Sequence, residues 1–199
     1  MPEITPIRAI RYATGDGEIS TRIAPPYDVL DEGPKQALLA QDPHNVVAID
    51  LPVTPPKTVG PDSAYEQAGA TLHEWLEAGV LAQDENPAVY AYEQVYTVDG
   101  QRYARRGLFA GVGVEPFNRK NGGIHRHELT IRSGTDDRYK LMEATGAQLS
   151  PVFGVFPDPQ NQVTDMLRPY FESEPHFHGR TKDGVVHRCW RVENGSVLG

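Results

Sequence analysis

The chain has 199 residues, 39% of them hydrophobic, and its 27 acidic against 19 basic side chains give a formal net charge of −8. A chain of this length can bury a core, but it contains no apolar run near the roughly 18 residues that a membrane span needs. The acidic balance disfavours non-specific binding to nucleic acid, which depends on basic patches. One cysteine, Cys189, excludes an internal disulfide, and without a signal-peptide pattern we expect a cytoplasmic protein.

The first thirty residues combine a predicted strand with a rigid connector. Residues 4–13 carry isoleucines at positions typical of a strand. Two prolines then fix the backbone of Pro25-Pro26, so that Tyr27 and Asp28 are held in one presentation. This pair either faces a ligand or starts a turn after the connector.

The next thirty residues are predicted to contain a helix, a strand and a loop. Pro34 suits the first turn of a helix that runs to Gln41. The continuous apolar run VVAIDL at 46–51 is typical of a strand that is covered on both faces. Four prolines in residues 52–61 indicate a surface loop.

A longer amphipathic helix is predicted after this loop. Ser63 and Glu66 form a capping box at its start, and Gly79 is placed to end it. The buried face is predicted to be an apolar stripe of Ala64, Ala68, Leu72, Trp75 and Leu76.

The clearest pattern in the chain is a β-hairpin near its middle. Asp99-Gly100 lies between two stretches of alternating strand formers and predicts a two-residue turn. Pairing outward from this turn places Tyr96 opposite Tyr103 and Glu93 opposite Arg106, and both are favourable cross-strand pairs.

A polar stretch follows the hairpin and is the predicted functional site. Residues 125–138 read HRHELTIRSGTDDR, which is rich in groups that titrate or hydrogen-bond and poor in groups that build a core. The second half predicts a helix that runs to Gly146. In it Thr135 would be the N-cap, and Asp136 and Asp137 would lie in the first turn, where the helix dipole favours anions.

The rest of the chain predicts a strand, a helix and a second hairpin. The apolar run LSPVFGVF at 149–156 is typical of a buried strand, and Asp158-Pro159 opens a helix. Residues 176–192 predict a hairpin around Asp183-Gly184. We therefore expect a mixed α/β fold of the α+β kind over residues 1–199, as a single domain with a mainly antiparallel sheet, β-hairpins and about four helices.

The polar residues suit phosphoryl transfer, which needs a carboxylate to accept a hydroxyl proton, cations for phosphate charge and a divalent metal. The candidates are Glu128 and Asp28 as the base, Asp137 as the Mg²⁺ ligand, and Tyr27, His127, Thr130 and Arg138 as substrate or phosphate contacts. No P-loop or protein-kinase motif accompanies them.

Two other classes of function fit the same residues. His125-x-His127 and His176-x-His178 each place two imidazoles on one face of an extended segment. Together with Glu128 they form a candidate metal site of a hydrolase. Alternatively the polar stretch only caps a helix and fixes a loop, and the chain is a non-catalytic module that binds a ligand, a nucleic acid or a protein.

Three separated stretches share the pattern of one known family. They are IAPPYDVL at 23–30, AVYAYEQVYTVDGQRYARRGLFAGVGVEPF at 88–117, and HRHELT with DDRYKLMEATGAQLSPVFGVFPD within 125–158. These stretches resemble the bacterial and archaeal family called domain of unknown function 1015. Ser133-Gly134 stands where the family usually has Pro-Lys, so this segment lacks that lysine.

The resemblance implies a distant similarity to the ParB/sulfiredoxin superfamily, which includes ATP-dependent enzymes and a free-serine kinase. It also implies a longer chain with a Gly-His-His-Arg phosphate-binding motif beyond residue 199, so we expect the N-terminal part of a longer protein. On this basis we expect a nucleotide-dependent phosphotransferase that uses ATP or ADP with Mg²⁺. Its substrate would be a small molecule, with amino acids among the candidates.

Overall fold

The computed structural model describes residues 2–15, 17–117, 123–127, 129–130 and 132–192, and these ranges form a mixed α+β fold, as expected. Within them the chain contains five α-helices and eight strands, besides a 3₁₀ turn at Tyr27–Val29. The helices are α1 (Glu32–Gln41), α2 (Val47–Asp50), α3 (Asp62–Glu77), α4 (Arg132–Thr145) and α5 (Gln162–Phe171). The strands are β1 (Ile4–Thr5), β2 (Ile10–Tyr12), β3 (Leu81–Gln83), β4 (Val89–Val98), β5 (Gln101–Phe109), β6 (Gly111–Val112), β7 (Phe177–Arg180) and β8 (Val186–Val192). No helix in the described ranges is long and apolar enough to cross a membrane.

Both predicted hairpins are confirmed, and together they form one antiparallel sheet in the order β5-β4-β8-β7. The first hairpin has the predicted register, with Tyr96 opposite Tyr103 and Glu93 opposite Arg106. Its turn places Asp99-Gly100 at φ 51° and 78°, the left-handed backbone that a two-residue type I′ turn requires.

Three apolar clusters form the core of the described part of the chain. The first surrounds α3 and includes Ala68, Leu72 and Trp75 of the predicted stripe, so the buried face of that helix is confirmed. The second lies between α5 and the sheet, around Trp190, which is only 1% exposed. The third and smallest gathers near Val47 of α2.

A glycine lets α4 pack directly against α3. A Cβ atom at Gly69 would overlap the carbonyl oxygen of Ala144, so only glycine allows the two helices to approach this closely. The contact fixes the position of α4, which carries Asp137 and Arg138. Gly146, at φ 63°, ends α4 as predicted.

The prediction of a buried strand over 46–51 is wrong, because this segment forms α2. The side chain of Asn45 directs the chain into the helix. Its amide nitrogen donates to the carbonyl oxygens of Thr21 and Ile23, and its Oδ1 accepts from the backbone N–H of Val47 at 3.0 Å. A short apolar run suits a buried helix as well as a buried strand, so its composition could not separate the two.

The prediction of a buried strand over 149–156 is also wrong. The segment has no regular secondary structure. Four of its apolar side chains have high exposure, between 53% and 88%, and they are Val152, Phe153, Val155 and Phe156. Strand formation depends on a hydrogen-bonding neighbour as much as on apolar composition, and the segment belongs to no sheet of the described chain.

Several boundaries also differ from the predictions. The strand expected over 4–13 is divided between β1 and β2, which belong to different sheets. Thr135 is not the N-cap of α4, because that helix begins three residues earlier at Arg132. The helix expected from Asp158 begins at Gln162, and the Asp158 carboxylate accepts hydrogen bonds from backbone N–H groups in its first turn.

Candidate functional site

Arg138 lies at the centre of a buried ion network on the first half of α4. Its Nε and Nη2 donate to Oδ2 of Asp137 at 3.0 and 2.7 Å. Its Nη1 donates to the carbonyl oxygen and to Oδ1 of Asp50, at 2.7 and 3.0 Å. One guanidinium therefore joins two carboxylates that lie 87 residues apart in the sequence, numbers 50 and 137.

An aromatic ring covers the face of the same guanidinium. The Arg138 Cζ atom stands 3.9 Å from the centroid of the Tyr27 ring, a close cation–π contact. Tyr27 is held there by the 3₁₀ turn that follows Pro25-Pro26. Burial raises the pKa of the Tyr27 hydroxyl above its ordinary value, so this group stays protonated at neutral pH. The Arg138 side chain remains 20% exposed.

Asp137 is the most deeply buried charged residue of the network, with 2% of its surface exposed. Its Oδ1 accepts a hydrogen bond from the Tyr65 hydroxyl of α3 at 2.7 Å, while its Oδ2 accepts from Arg138. The hydroxyl oxygen of Tyr65 accepts in turn from the backbone N–H of Gly60 at 3.1 Å. Because α4 begins early, Asp137 lies past the first turn and faces α3, so the prediction that it caps the helix is wrong.

Asp50 completes the network at the C-terminal end of α2. Besides Arg138, its Oδ1 accepts a hydrogen bond from the Ser150 hydroxyl at 2.8 Å. Burial raises the pKa of the Asp50 carboxyl, and the nearby charge of Asp137 adds to the rise, while the bonds from Ser150 and Arg138 oppose it. Since one arginine meets two carboxylates, the network has an excess of negative charge when both are ionised. We call these six residues the Arg138 network: Tyr27, Asp50, Tyr65, Asp137, Arg138 and Ser150.

The exposed rim of the Arg138 network carries an ion pair between Asp28 and Lys57. Lys57 Nζ stands 3.1 Å from Asp28 Oδ2, and the two side chains are 40% and 36% exposed. Lys57 adopts φ 62°, an unusual value for a residue that is not glycine. Its side chain lies over Gly134, where a Cβ atom would be 3.5 Å from Lys57 Cγ. A lysine from another loop thus lies beside Ser133-Gly134, the segment whose sequence lacks one.

The structure brings together four of the seven predicted site residues, namely Tyr27, Asp28, Asp137 and Arg138. His127 and Thr130 are exposed on the segment that leads into α4. Glu128 lies outside the described residues. The roles assigned to these residues stay predictions.

Four other residues of the site were missed from the sequence: Asp50, Lys57, Tyr65 and Ser150. They come from a loop, two helices and an irregular segment, and none stands in a polar cluster. Asp50 ends an apolar run and Tyr65 lies in an amphipathic helix, where each has an ordinary structural interpretation. No signal in the sequence pointed to them.

The two histidines of the predicted pair His176-x-His178 contact different groups. His176 Nδ1 accepts from the backbone N–H of Arg191 at 3.3 Å, and His178 Nδ1 is 3.2 Å from Glu18 Oε2. Among the described residues, no group of three or more His, Cys, Asp or Glu side chains is arranged to hold a metal ion.

The one thiol of the chain belongs to the sheet rather than to the site. Burial raises the pKa of Cys189 on β8 to about 12, so its reactive thiolate is scarce at neutral pH. This agrees with a packed cysteine and not with a nucleophile.

A family model described as "Protein of unknown function (DUF1015)" matches residues 4–199. No curated protein and no solved structure matches the chain.

Proposed function

This chain belongs to the family of proteins of unknown function numbered 1015, and we propose that it is a nucleotide-dependent phosphotransferase for a small hydroxyl-bearing molecule, or the N-terminal half of one. The observation that carries the proposal is the exposed Asp28–Lys57 ion pair on the rim of the Arg138 network. Phosphoryl transfer depends on positioning and charge rather than on covalent chemistry by the protein. A carboxylate and an ammonium 3.1 Å apart, on a rigid support, supply both.

Each member of the ion pair has a defined task in this proposal. The Asp28 carboxylate accepts the proton of the attacking hydroxyl, as Glu128 is also proposed to do. The Lys57 ammonium neutralises charge on the transferred phosphoryl group. His127 and Thr130 are proposed as further contacts to the substrate or its phosphate, since both are exposed beside α4.

Arg138 was predicted to contact phosphate, and its geometry supports a positioning task more strongly. Its donors engage Asp50 and Asp137, and its face is covered by Tyr27. The guanidinium therefore fixes Tyr27, and through it the adjacent Asp28 on the rim. A phosphate that reached Arg138 would compete with two carboxylates for the same donors.

Mg²⁺ enters this proposal with the nucleotide. The ion usually takes one or two carboxylates together with substrate phosphates, so it needs no preformed group of three protein ligands. Asp137, the predicted ligand, would have to give up hydrogen bonds to Tyr65 and Arg138 before binding. When bound, the ion would neutralise charge that develops between the phosphates.

The test is turnover by the 199-residue chain in the presence of ATP or ADP, Mg²⁺ and a mixture of free amino acids. We expect conversion of the nucleotide and a new phosphorylated product. Asp28→Asn should lower the rate by about 10²- to 10⁴-fold, the usual effect of losing a general base. Asp31→Asn is the matched control, because Asp31 is an exposed carboxylate three residues away, and it should leave the rate unchanged.

Two results would contradict the proposal. One is wild-type protein that neither binds nor converts a nucleotide. The other is nucleotide turnover that Asp28→Asn leaves intact, which would place the chemistry elsewhere.

A second candidate is a non-catalytic binding module, which the exposed residues 151–156 favour. Contiguous apolar side chains on a surface mark binding sites more often than chance exposure does. For this candidate, His127→Ala and Glu128→Ala should leave ligand binding intact, and calorimetry should detect binding without any turnover.

A further inference from the structure

The hairpin of β4 and β5 carries a stacked pair of tyrosines close to its turn. Tyr96 and Tyr103 are directly opposed, with ring centroids 6.0 Å apart and planes inclined by 25°. Tyr103 is 41% exposed and Tyr96 is partly exposed. An exposed pair of parallel rings presents a flat apolar surface to solvent.

Arg105 extends this surface toward the segment 149–156. Its Cζ atom stands 5.5 Å from the centroid of the Tyr96 ring and 5.7 Å from that of Phe153, so one guanidinium lies against two rings. Phe153 is itself 69% exposed. Within the described residues no carboxylate forms an ion pair with Arg105, which leaves its charge uncompensated. We call Tyr96, Tyr103, Arg105 and Phe153 the aromatic shelf.

Open space adjoins the aromatic shelf on the same side of the sheet. Successive residues of a strand lie on alternate faces of the sheet, so positions 105 and 107 of β5 are on the same face. A Cβ atom at Gly107 would meet nothing within 4 Å. Its cross-strand partner Tyr92 packs on Phe109, with ring centroids 5.0 Å apart. The absence of a side chain at Gly107 thus leaves open space beside the rings of Tyr92 and Phe109 and beside the Arg105 guanidinium.

From this geometry we propose that the aromatic shelf binds the base of a mononucleotide. A planar base can stack on exposed rings whatever its identity, and an arginine beside it attracts the ligand's phosphate charge. The uncompensated charge of Arg105 matches an anionic ligand and would be of no use to a purely apolar one. A polynucleotide is disfavoured, because the chain carries a net charge of −8.

The aromatic shelf is connected to the Arg138 network by a short stretch of chain, and the inference rests on the phosphotransferase function proposed for that network. Ser150 donates to Asp50, and Phe153 follows three residues later. Three residues of extended chain span at most roughly 11 Å, so the Cα atoms of Ser150 and Phe153 are no farther apart than that. The aromatic shelf therefore adjoins Ser150, which is a member of the Arg138 network.

The test is isothermal calorimetry with ADP, ATP, adenosine and inorganic tripolyphosphate on the 199-residue chain. Phe153→Ser and Tyr103→Ser should weaken ADP and adenosine binding by roughly 5- to 100-fold, the range seen when a stacking ring is removed. Neither should change tripolyphosphate binding. Arg105→Gln should weaken ADP more than adenosine, because only ADP carries the phosphate charge that Arg105 attracts.

Two matched controls separate the aromatic shelf from general effects of the substitutions. Phe156→Ser removes another exposed phenylalanine from the same segment, and Arg102→Gln removes the same charge from β5 on the opposite side of the strand. Both should bind ADP like the wild type. Urea unfolding of all variants would show that their folds are retained.

The outcomes distinguish this inference from the proposed function. Unchanged ADP affinity in Phe153→Ser and Tyr103→Ser, with turnover still lost in Asp28→Asn, would overturn the aromatic shelf and leave the phosphotransferase intact. Equal losses in the controls and in the shelf variants would also overturn it. Wild-type protein that binds no nucleotide would overturn both.

Discussion

Two buried ion networks of this molecule have opposite compositions. In the helical region one cation, Arg138, lies between the carboxylates of Asp50 and Asp137. In the sheet one carboxylate, Glu93 of β4, lies between two arginines of the neighbouring strands. The first network has an excess of negative charge and the second an excess of positive charge.

The networks also differ in where their outer members lie. The side chains of Asp50 and Asp137 are only 16% and 3% exposed, so both carboxylates depend on the central arginine. In the Glu93 network, which consists of Glu93, Arg106 and Arg188, the arginines are 48% and 38% exposed and already contact water. Removal of the central charge should therefore lower the free energy of unfolding most where the outer charges are buried and water cannot hydrate them.

The strongest test of this comparison removes the central cation of the helical region. Arg138→Met leaves two carboxylates buried and unpaired, and it should lower the free energy of unfolding by about 3–5 kcal/mol. Arg138→Lys keeps the charge but not the forked geometry, so it should fall between this variant and the wild type. Urea denaturation measures both.

Arg168→Met is the control for the loss of an arginine. Arg168 pairs with Asp165 on the surface of α5, and both side chains are more than half exposed. Its loss should barely change the midpoint of unfolding. Equal losses at positions 138 and 168 would show that the Arg138 network does not stabilise the fold.

Removal of the central carboxylate of the sheet should have a smaller effect. Glu93→Gln keeps the size of the side chain but leaves Arg106 and Arg188 without a counter-charge. Because both arginines can turn toward water, we expect a loss of about 1–2 kcal/mol in the free energy of unfolding. A loss as large as that of Arg138→Met would show that the exposure of the outer charges does not reduce the cost of removing the central charge.

The cation–π contact should contribute less than either central charge. Tyr27→Leu removes the ring that covers Arg138 but leaves all four of its hydrogen bonds, and it should cost about 0.5–2 kcal/mol. Tyr27→Phe keeps the ring and should be close to the wild type. The midpoints of denaturant unfolding of the two variants test this prediction. A larger fall in the midpoint for Tyr27→Phe than for Tyr27→Leu would show that the hydroxyl, and not the ring, stabilises the fold.

The smallest expected effect is a pH dependence of stability that arises from Asp50, because the Arg138 network has an excess of negative charge. The pKa of Asp50 is raised in the folded state, so between its unfolded value near 4 and the raised value the folded chain binds more protons than the unfolded chain. The contribution of Asp50 to stability therefore falls as pH rises through this window. Asp50→Asn should remove that fall.

Unfolding free energies measured from pH 4 to pH 7 test the sign. The value for the wild type minus that for Asp50→Asn should decrease as pH rises. Asp31→Asn, which removes an exposed carboxylate, serves as the control and should show no such decrease. A difference that grows with pH would mean that Arg138 outweighs burial at Asp50.

Local sequence rules were sufficient where a structure depends on neighbouring residues. The Asp99-Gly100 turn, its register and the apolar face of α3 were all predicted, because turn geometry and helical periodicity act over a few residues. The same rules failed for 46–51 and 149–156. In both segments the chain is apolar, and the outcome depended on contacts from elsewhere, such as the hydrogen bonds from Asn45 to Thr21 and Ile23.

The candidate site shows the same division. Asp137 and Arg138 could be singled out because they stand in a short segment that is dense in polar groups, and Tyr27 and Asp28 because two prolines fix the backbone before them. Asp50, Lys57 and Tyr65 could not, because nothing near them in the sequence marks them as partners of Arg138. Asp136-Asp137 were interpreted alike, yet only Asp137 is buried, since the start of α4 sets which of the two faces α3.

By itself, the sequence determined the family through its matching stretches, and the α+β class and the two hairpins through composition, periodicity and turn chemistry. The tertiary structure alone decided which charges meet. An ion pair between residues far apart in the chain depends on how helices and loops pack, and packing against Gly69 places α4 so that Arg138 reaches Asp50. The aromatic shelf arises in the same way, because Phe153 gains its place beside Arg105 from the fold and not from its sequence neighbours.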